Sequence, residues 1–285
     1  MNLRVGVHNS IAGGLPQAIR LAVELGSNTL QIFSRNPRGW AARPLSTEEI
    51  ENFRSARNEA GLSPLVVHAC YLINLAAQDE AMLKKSIAAF RDELTRAVAI
   101  GADYLVVHPG CAKGVDIEVG IKTCCRALKR AARSLNLGKL MILIENTAGQ
   151  GSAIGCCFEQ VREILDHGNG LPLGVCLDTA HCYASGYDIS APDKFANILQ
   201  ELTTTIGIDN IKVIHCNDSK VPLASRVDRH WHIGEGHIGK QGFELLLREP
   251  RLNHLPLILE TPIDKAHDDR WNLAQIRAIA ASLVI

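Results

Sequence analysis

The sequence lacks an excess of charge of either sign: 30 Lys and Arg residues stand against 30 Asp and Glu. That balance withholds the broad positive field that draws many proteins to nucleic acid. Any phosphate-binding surface must therefore be local or built with bound cations. Long apolar runs are missing too. Stretches such as LMILI (140–144) fall far short of the roughly 20 residues a membrane helix needs. The opening MNLRVGVHNSIAGG has no extended apolar centre of the kind a secretory signal requires. The nine cysteines include no CxxC pair and are odd in number, which speaks against a disulfide framework. Cys176 and Cys216 sit inside strand-like runs, where they read as small reduced core residues. These absences together point to the cytoplasm and away from membranes. A GxGxxG turn is also absent from the first loop, HNSIAGG, which counts against a doubly wound dinucleotide fold.

What is present is a regular alternation. Hydrophobic residues make up 47% of the chain and charged residues 21%, enough apolar material for a core and too much for disorder. Near-continuous apolar runs, as buried parallel strands require, occur at LRVGVH (3–8), TLQIF (29–33), LVVHA (65–69) and YLVVHPG (104–110). They continue at LMILIENT (140–147), LGVCLDTAH (173–181), IKVIHCND (211–218) and PLILETP (256–262). Amphipathic helices lie between them. Leu83, Ile87, Phe90, Leu94 and Val98 mark one buried face, and Leu273, Ile276, Ala280 and Leu283 another. Ser46 with Glu49 forms a capping box, flanked by Leu45 and Ile50 at staple spacing. Eight strand–helix pairs without a break in composition predict a single (β/α)₈ TIM barrel, one domain over residues 1–285.

Read to their C-terminal ends, seven of the eight runs finish on groups that bind metal or move protons. These are His8, His68, His108, Glu145, Asp178 with His181, His215 and Glu260; the second run ends at Phe33-Ser34. In a barrel such ends converge on one mouth. A lone histidine there is more often structural. So many together would be a costly cluster of charge unless metal ions joined them. In the loop after the seventh run, Asp228 and His230 are two apart, so an extended segment points both at one ion. Asp178 and His181 are three apart and would face opposite sides of a continued strand, so they are expected to serve different ions. Imidazoles mixed with carboxylates suit zinc or manganese better than magnesium, and clustered ions favour in-line phosphoryl chemistry. His8 reads as an outer partner of a ligand. His167, His254 and His267 read as surface residues, His232 and His237 as shaping their loop, and the glycines of TAGQGSAIG (147–155) as turns.

Three stretches then carry a likeness. IENTAGQGS (144–152), GVCLDTAH (174–181) and SRVDRHWHIGEG (225–236) closely resemble the endonuclease IV family of apurinic/apyrimidinic endonucleases, and the similarity runs from HNSIAGG to LILETP. The resemblance implies a monomeric, zinc-dependent repair enzyme with three Zn²⁺ ions. It would cleave double-stranded DNA 5′ to abasic sites, leave a 3′-hydroxyl and a 5′-deoxyribose phosphate, and clear 3′-blocking groups. Carried over by position, His68, His108 and Glu145 match the ligands of a first zinc. Glu145 also matches the bridge to a second, which adds Asp178, His215 and Glu260, and His181, Asp228 and His230 match a third. Glu145 and Glu260 would be the catalytic carboxylates, Glu260 orienting or deprotonating the attacking water. Arg38, Tyr71 and Leu72 match DNA contacts that kink the duplex and flip the abasic nucleotide out. Without the resemblance, Tyr71 and Leu72 read equally well as a cap on the barrel mouth. Arg35, Arg38, Arg43, Lys220, Arg226 and Arg229 are expected to form a local basic patch. Two positions depart from the family: Gly39 stands where a glutamine enters the DNA, and Ala180 where a cysteine is common.

The strongest rival is a metal-dependent sugar isomerase or epimerase, another barrel with Glu, Asp and His at its strand ends. A DNA-binding protein with structural zinc is a third reading, disfavoured because such zinc has closed, Cys-rich coordination.

Overall fold

Valine-, isoleucine- and leucine-rich runs of three to six residues become the barrel strands because their side chains are buried on both faces. The computed structural model describes residues 3–283. Its strands are β1 (Val5–Asn9), β2 (Leu30–Phe33), β3 (Leu65–His68), β4 (Tyr104–Val107), β5 (Met141–Glu145), β6 (Leu173–Asp178) and β7 (Ile211–His215), then β8 (Asp218–Ser219), β9 (His230–Trp231) and β10 (Leu257–Leu259). The helices are α1 (Leu15–Glu24), α2 (Thr47–Glu59), α3 (Glu80–Ile100), α4 (Ile117–Ala132), α5 (Phe158–His167), α6 (Thr179–Ser185), α7 (Pro192–Thr205), α8 (Gly239–Arg248) and α9 (Asp269–Ser282). Eight strands close into a parallel barrel, β1-β10-β7-β6-β5-β4-β3-β2, with β8 and β9 outside it as a short antiparallel ribbon. Val5, Gly6 and Val7 seal the barrel against Leu257, Ile258 and Leu259.

The predicted caps and stripes form. Ser46 Oγ accepts the Glu49 N–H at 3.1 Å and Glu49 accepts the Ser46 N–H at 2.9 Å, starting α2. Phe90 and Leu94 of α3 are fully buried, while Leu83, Ile87 and Val98 pack half-buried at the edge of the core. On α9 the inward stripe is Leu273, Ile276, Ile279 and Ala280; Leu283 falls just past the helix end. No helix among the described residues is long and apolar enough to cross a membrane.

One apolar layer inside the barrel decides where the site lies. Val66, Val106, Leu143, Cys176, Val213 and Ile258 form a cluster of their own, one from each of six strands. Because side chains alternate with a period of two, the residue two further along each strand also faces inward. Those residues are His68, His108, Glu145, Asp178, His215 and Glu260. Each metal-capable side chain thus stands directly above an apolar one.

Candidate metal centre

Two elements that the sequence pattern does not reveal position the last donors. The run through 173–181 does not continue as a strand. It turns into α6 at Thr179, with Asp178 as N-cap accepting the His181 N–H at 2.7 Å. The spacing argument for this pair, which assumed a continued strand, is therefore corrected: the two side chains sit together at a helix start. In the loop after β7, the fully buried Asp218 gathers the N–H groups of Gly234, Gly236 and Ile238 at 2.9–3.0 Å. A Cβ at Gly236 would come within 2.4 Å of Asp218 Oδ1, so only glycine fits that turn. This knot and the β8–β9 ribbon hold the segment that presents Asp228 and His230.

Glu145 is fully buried at the centre. Its Oε2 lies 3.1 Å from His68 Nε2 and 2.9 Å from His108 Nε2, while Oε1 lies 3.0 Å from His215 Nδ1. His215 Nδ1 is also 3.2 Å from Glu260 Oε2. Donor atoms within 4.8 Å of one another form three groups: His68, His108 and Glu145; Glu145, Asp178, His215 and Glu260; and Asp178, His181 and His230. The third differs from the sequence expectation by taking in Asp178 and omitting Asp228. Yet Asp228 Oδ2 is 3.1 Å from His181 Nε2 and Oδ1 is 3.4 Å from His230 Nε2, so it closes on the same pair.

The histidines are oriented from behind. A carbonyl can only accept, so a ring nitrogen facing one carries the proton and the other nitrogen is left with its lone pair. His68 Nδ1 donates to Ala69 O (2.7 Å), His181 Nδ1 to Asn146 O (2.9 Å) and His230 Nδ1 to Glu260 O (3.1 Å). His215 Nε2 donates to Gln31 Oε1 at 2.8 Å. In all four rings the remaining nitrogen faces the carboxylates, as outer hydrogen bonds arrange for metal ligands. Gln31 in turn donates to Glu260 Oε1 (2.7 Å), which also pairs with His8 Nδ1 (2.8 Å). Asn217 donates to Asp178 Oδ2 at 2.7 Å. His8 thus takes the outer place expected of it. Gln31, Asn146 and Asn217 escaped the sequence reading; a glutamine inside a four-residue apolar strand was the available signal.

Charge makes the case for cations. Among the described residues, every ion-pair partner of Glu145, Asp178, Asp228 and Glu260 is a histidine. Burial works against ionisation of Glu145, but His108 and His215 outweigh it and hold the carboxyl well below its ordinary range. Burial likewise opposes charging of His181 and His215, yet the facing acidic groups push both well up. Without metal, the cluster stays neutral only by protonating the lone pairs that point into it. Imidazole nitrogens and carboxylate oxygens at these separations fit zinc, and among the described residues no lysine or arginine pairs with these acidic groups.

Above the cluster opens a cavity of about 1190 Å³ lined by His68, His108, Tyr71, Arg38 and Arg229 among others. Tyr71 is 67% exposed, its ring edge-on to Phe33 at 5.0 Å. Leu72 is half-buried against the core instead of lining the mouth. Arg35 does not belong to the basic patch: it is 4% exposed and paired with Glu93 at 3.0 Å. Of the histidines read as bystanders, His232 is buried and held by Asp264 (3.2 Å), and His267 stacks on Trp271. All nine cysteines are free.

A family model described as "Xylose isomerase-like TIM barrel" matches residues 19–282. The chain is 45% identical over 283 residues to the protein named "Probable endonuclease 4" of Solibacter usitatus (strain Ellin6076), covering 98% of each. Among solved structures, endonuclease IV from Thermus thermophilus is similar with a TM-score of 0.87 at 38% identity, over 98% of this chain and 99% of that one. A 3-keto-D-glucoside 4-epimerase from E. coli reaches a TM-score of 0.69 at 16% identity, over 97% and 100% of the two chains. At that identity the likeness speaks for the barrel alone.

Proposed function

The chain belongs to the endonuclease IV family and is a phosphodiesterase, and on that premise we propose that it hydrolyses double-stranded DNA on the 5′ side of abasic sites. The products would be a 3′-hydroxyl and a 5′-deoxyribose phosphate, and the same site would clear 3′-blocking groups. The reading rests on one observation: nine imidazole and carboxylate donors meet at one mouth with no arginine or lysine among them. His68, His108 and Glu145 would hold one zinc, Glu145, Asp178, His215 and Glu260 a second, and His181, Asp228 and His230 a third. Bound zinc supplies Lewis acidity, which stabilises phosphoryl charge and lowers the pKa of water.

The chain's own groups supply the rest. Glu260 is fixed through Oε1 by His8 and Gln31, which turns Oε2 toward the centre beside His215, where it would serve as a zinc ligand and help orient or deprotonate the attacking water. Glu145, with partners on both oxygens, keeps two halves of the centre in register. Arg38 and Tyr71 stand on the rim where an extruded nucleotide would pass. The nine donors complete the centre within a single barrel, and the state proposed for it is a monomeric, single-domain, cytoplasmic enzyme.

The test is direct. Purified protein dialysed free of loose metal should retain close to three ions per chain, mostly zinc, and should cut a duplex carrying one abasic analogue but not turn over ketoses. Binding should weaken with added salt as Lys and Arg side chains displace counterions. Retention of no more than one ion per chain would sink the three-zinc reading. A binding constant indifferent to salt would favour a small substrate.

Gly39 offers a finer probe of the same reading. A Cβ there meets nothing closer than Ala41 O at 3.6 Å, so glutamine fits the free loop. Gly39→Gln should tighten binding to abasic duplex, by filling space and ordering a flexible turn, with saturated turnover nearly unchanged. Leu72→Ala should weaken binding but also disturbs packing. Tyr71→Ala, at an exposed position, is the cleaner contrast and should lower affinity without lowering the melting temperature. Unchanged affinity in Gly39→Gln beside a loss in Tyr71→Ala would mean that the loop around Gly39 stays off the DNA.

A further inference from the structure

Two segments at the mouth, 34–43 and 70–72, carry Arg38, Tyr71 and Leu72, and both are tied to one side chain of α3. Glu93 is 1% exposed. Its Oε2 accepts the Ser34 hydroxyl at 2.5 Å, and its Oε1 accepts Arg35 Nε at 3.0 Å and the Cys70 N–H at 3.3 Å. Ser34 and Arg35 open the first segment; Cys70 immediately precedes Tyr71. Arg35 reaches back over its own loop to donate to Trp40 O at 3.2 Å, and touches Cys70 Sγ at 3.7 Å. One turn along α3, Arg96 donates to Ser34 O at 2.6 Å and to Arg43 O at 2.9 Å. The first segment is thus fastened at Ser34, Trp40 and Arg43. Between the ties at Arg35 and Trp40, residues 36–39 form a turn folded on itself by Asn36, whose Oδ1 accepts the Arg38 N–H at 3.0 Å and whose carbonyl accepts the Gly39 N–H at 3.2 Å.

A buried carboxylate between a helix and two loops costs stability that an apolar side chain of similar volume would not. What it provides instead is direction: it grips a hydroxyl, a guanidinium and a backbone N–H belonging to two separate βα loops. We propose that Glu93 is a positioning residue that couples these two loops and sets the spacing of Arg38 and Tyr71 across the mouth before DNA arrives. Affinity then gains because less ordering is left to binding. The coupling is a property of the free protein. Its consequence for DNA rests on the function proposed above.

Amide hydrogen exchange in the free protein, paired with binding and turnover, tests it. Glu93→Gln should speed exchange in 35–43 and 70–73 together, roughly tenfold or more, while β5 and β6 stay protected. Arg96→Lys should speed it in the first segment alone, because the hydrogen bonds of Arg96 go to Ser34 and Arg43. Glu93→Gln should also weaken the Kd for abasic duplex roughly tenfold, with kcat and zinc content retained. If that variant fails to fold, Glu93→Asp, with its charge kept and its reach shortened, should give the same pattern at smaller amplitude. Faster exchange in one segment only, or in neither, overturns the coupling. So does a loss of affinity matched by equal losses of kcat and zinc, which marks a general structural role. A wild type that does not distinguish abasic from intact duplex would remove the DNA reading, while the exchange result would still decide the coupling.

Discussion

Replacing Glu145 with glutamine is expected to lower cleavage of abasic duplex by about 10³-fold or more, the scale on which loss of a central electrostatic contact acts. The amide is nearly the same size and would remain buried, so packing barely changes. Two things do change. The site loses one negative charge between two groups of donors, and one oxygen becomes an NH₂ that must point at imidazole lone pairs on one side or the other. Metal content should fall with activity, and duplex affinity should survive far better than turnover because Arg38 and Tyr71 are untouched. A control separates this from misfolding. With all metal removed, the variant should still melt in one cooperative transition, though lower than the wild type, because the buried histidines lose their carboxylate partner. Near-normal cleavage would refute the central role given to Glu145, and a metal-free variant without a cooperative melt would assign the fall to misfolding.

Stripping the metal from the wild type is the second large effect. Ions that bind only the folded chain stabilise it by about 4 kcal/mol per site at ~1,000-fold saturation, so the loss of several should lower the melting temperature by ~10 °C or more. Cleavage should vanish, and added zinc should restore both. The pH dependence should also change sign. His108, His181 and His215 are raised in the folded, metal-free chain, most of all the last two, by acidic neighbours that overcome burial. Their stabilisation is full below the ordinary imidazole pKa and is lost as pH climbs through the raised values. Glu145 and Glu260 act oppositely, their support being lost as pH falls below the ordinary carboxylate range. Metal-free protein should therefore be most stable in mildly acidic solution and weaken toward alkaline pH. The zinc-loaded form should weaken toward acid, because protons compete for the same lone pairs. Calorimetric melts of both forms across pH would show the two curves crossing. Parallel curves would mean that these histidines do not face metal.

How much of this was legible follows from chain geometry. The alternation of apolar runs and amphipathic stripes is local, and it was enough to anticipate the barrel and the caps of α2. The donors at strand ends were legible for the same reason. A period of two places His68 above Val66, His108 above Val106 and Glu145 above Leu143 wherever the strand lies. Asp228 and His230 were legible only as a pair, since nothing local says which strand end their loop will reach.

What the chain could not reveal by itself is who stands behind whom. Gln31 lies 184 residues from the His215 ring it orients and 229 from the Glu260 carboxylate it holds. Asn217 meets Asp178 only because β6 and β7 are neighbours in the closed sheet. Glu93 reads in sequence as one more charge on an amphipathic helix; burial between two loops makes it a clamp. Arg35 reads as part of a basic patch until that same carboxylate takes it inside. Backbone periodicity, set by neighbours two to four residues apart, determined the fold and the inward-facing donors. Hydrogen-bond partners, burial and charge compensation depend on distances that exist only once the barrel has closed, and those the tertiary structure alone decided.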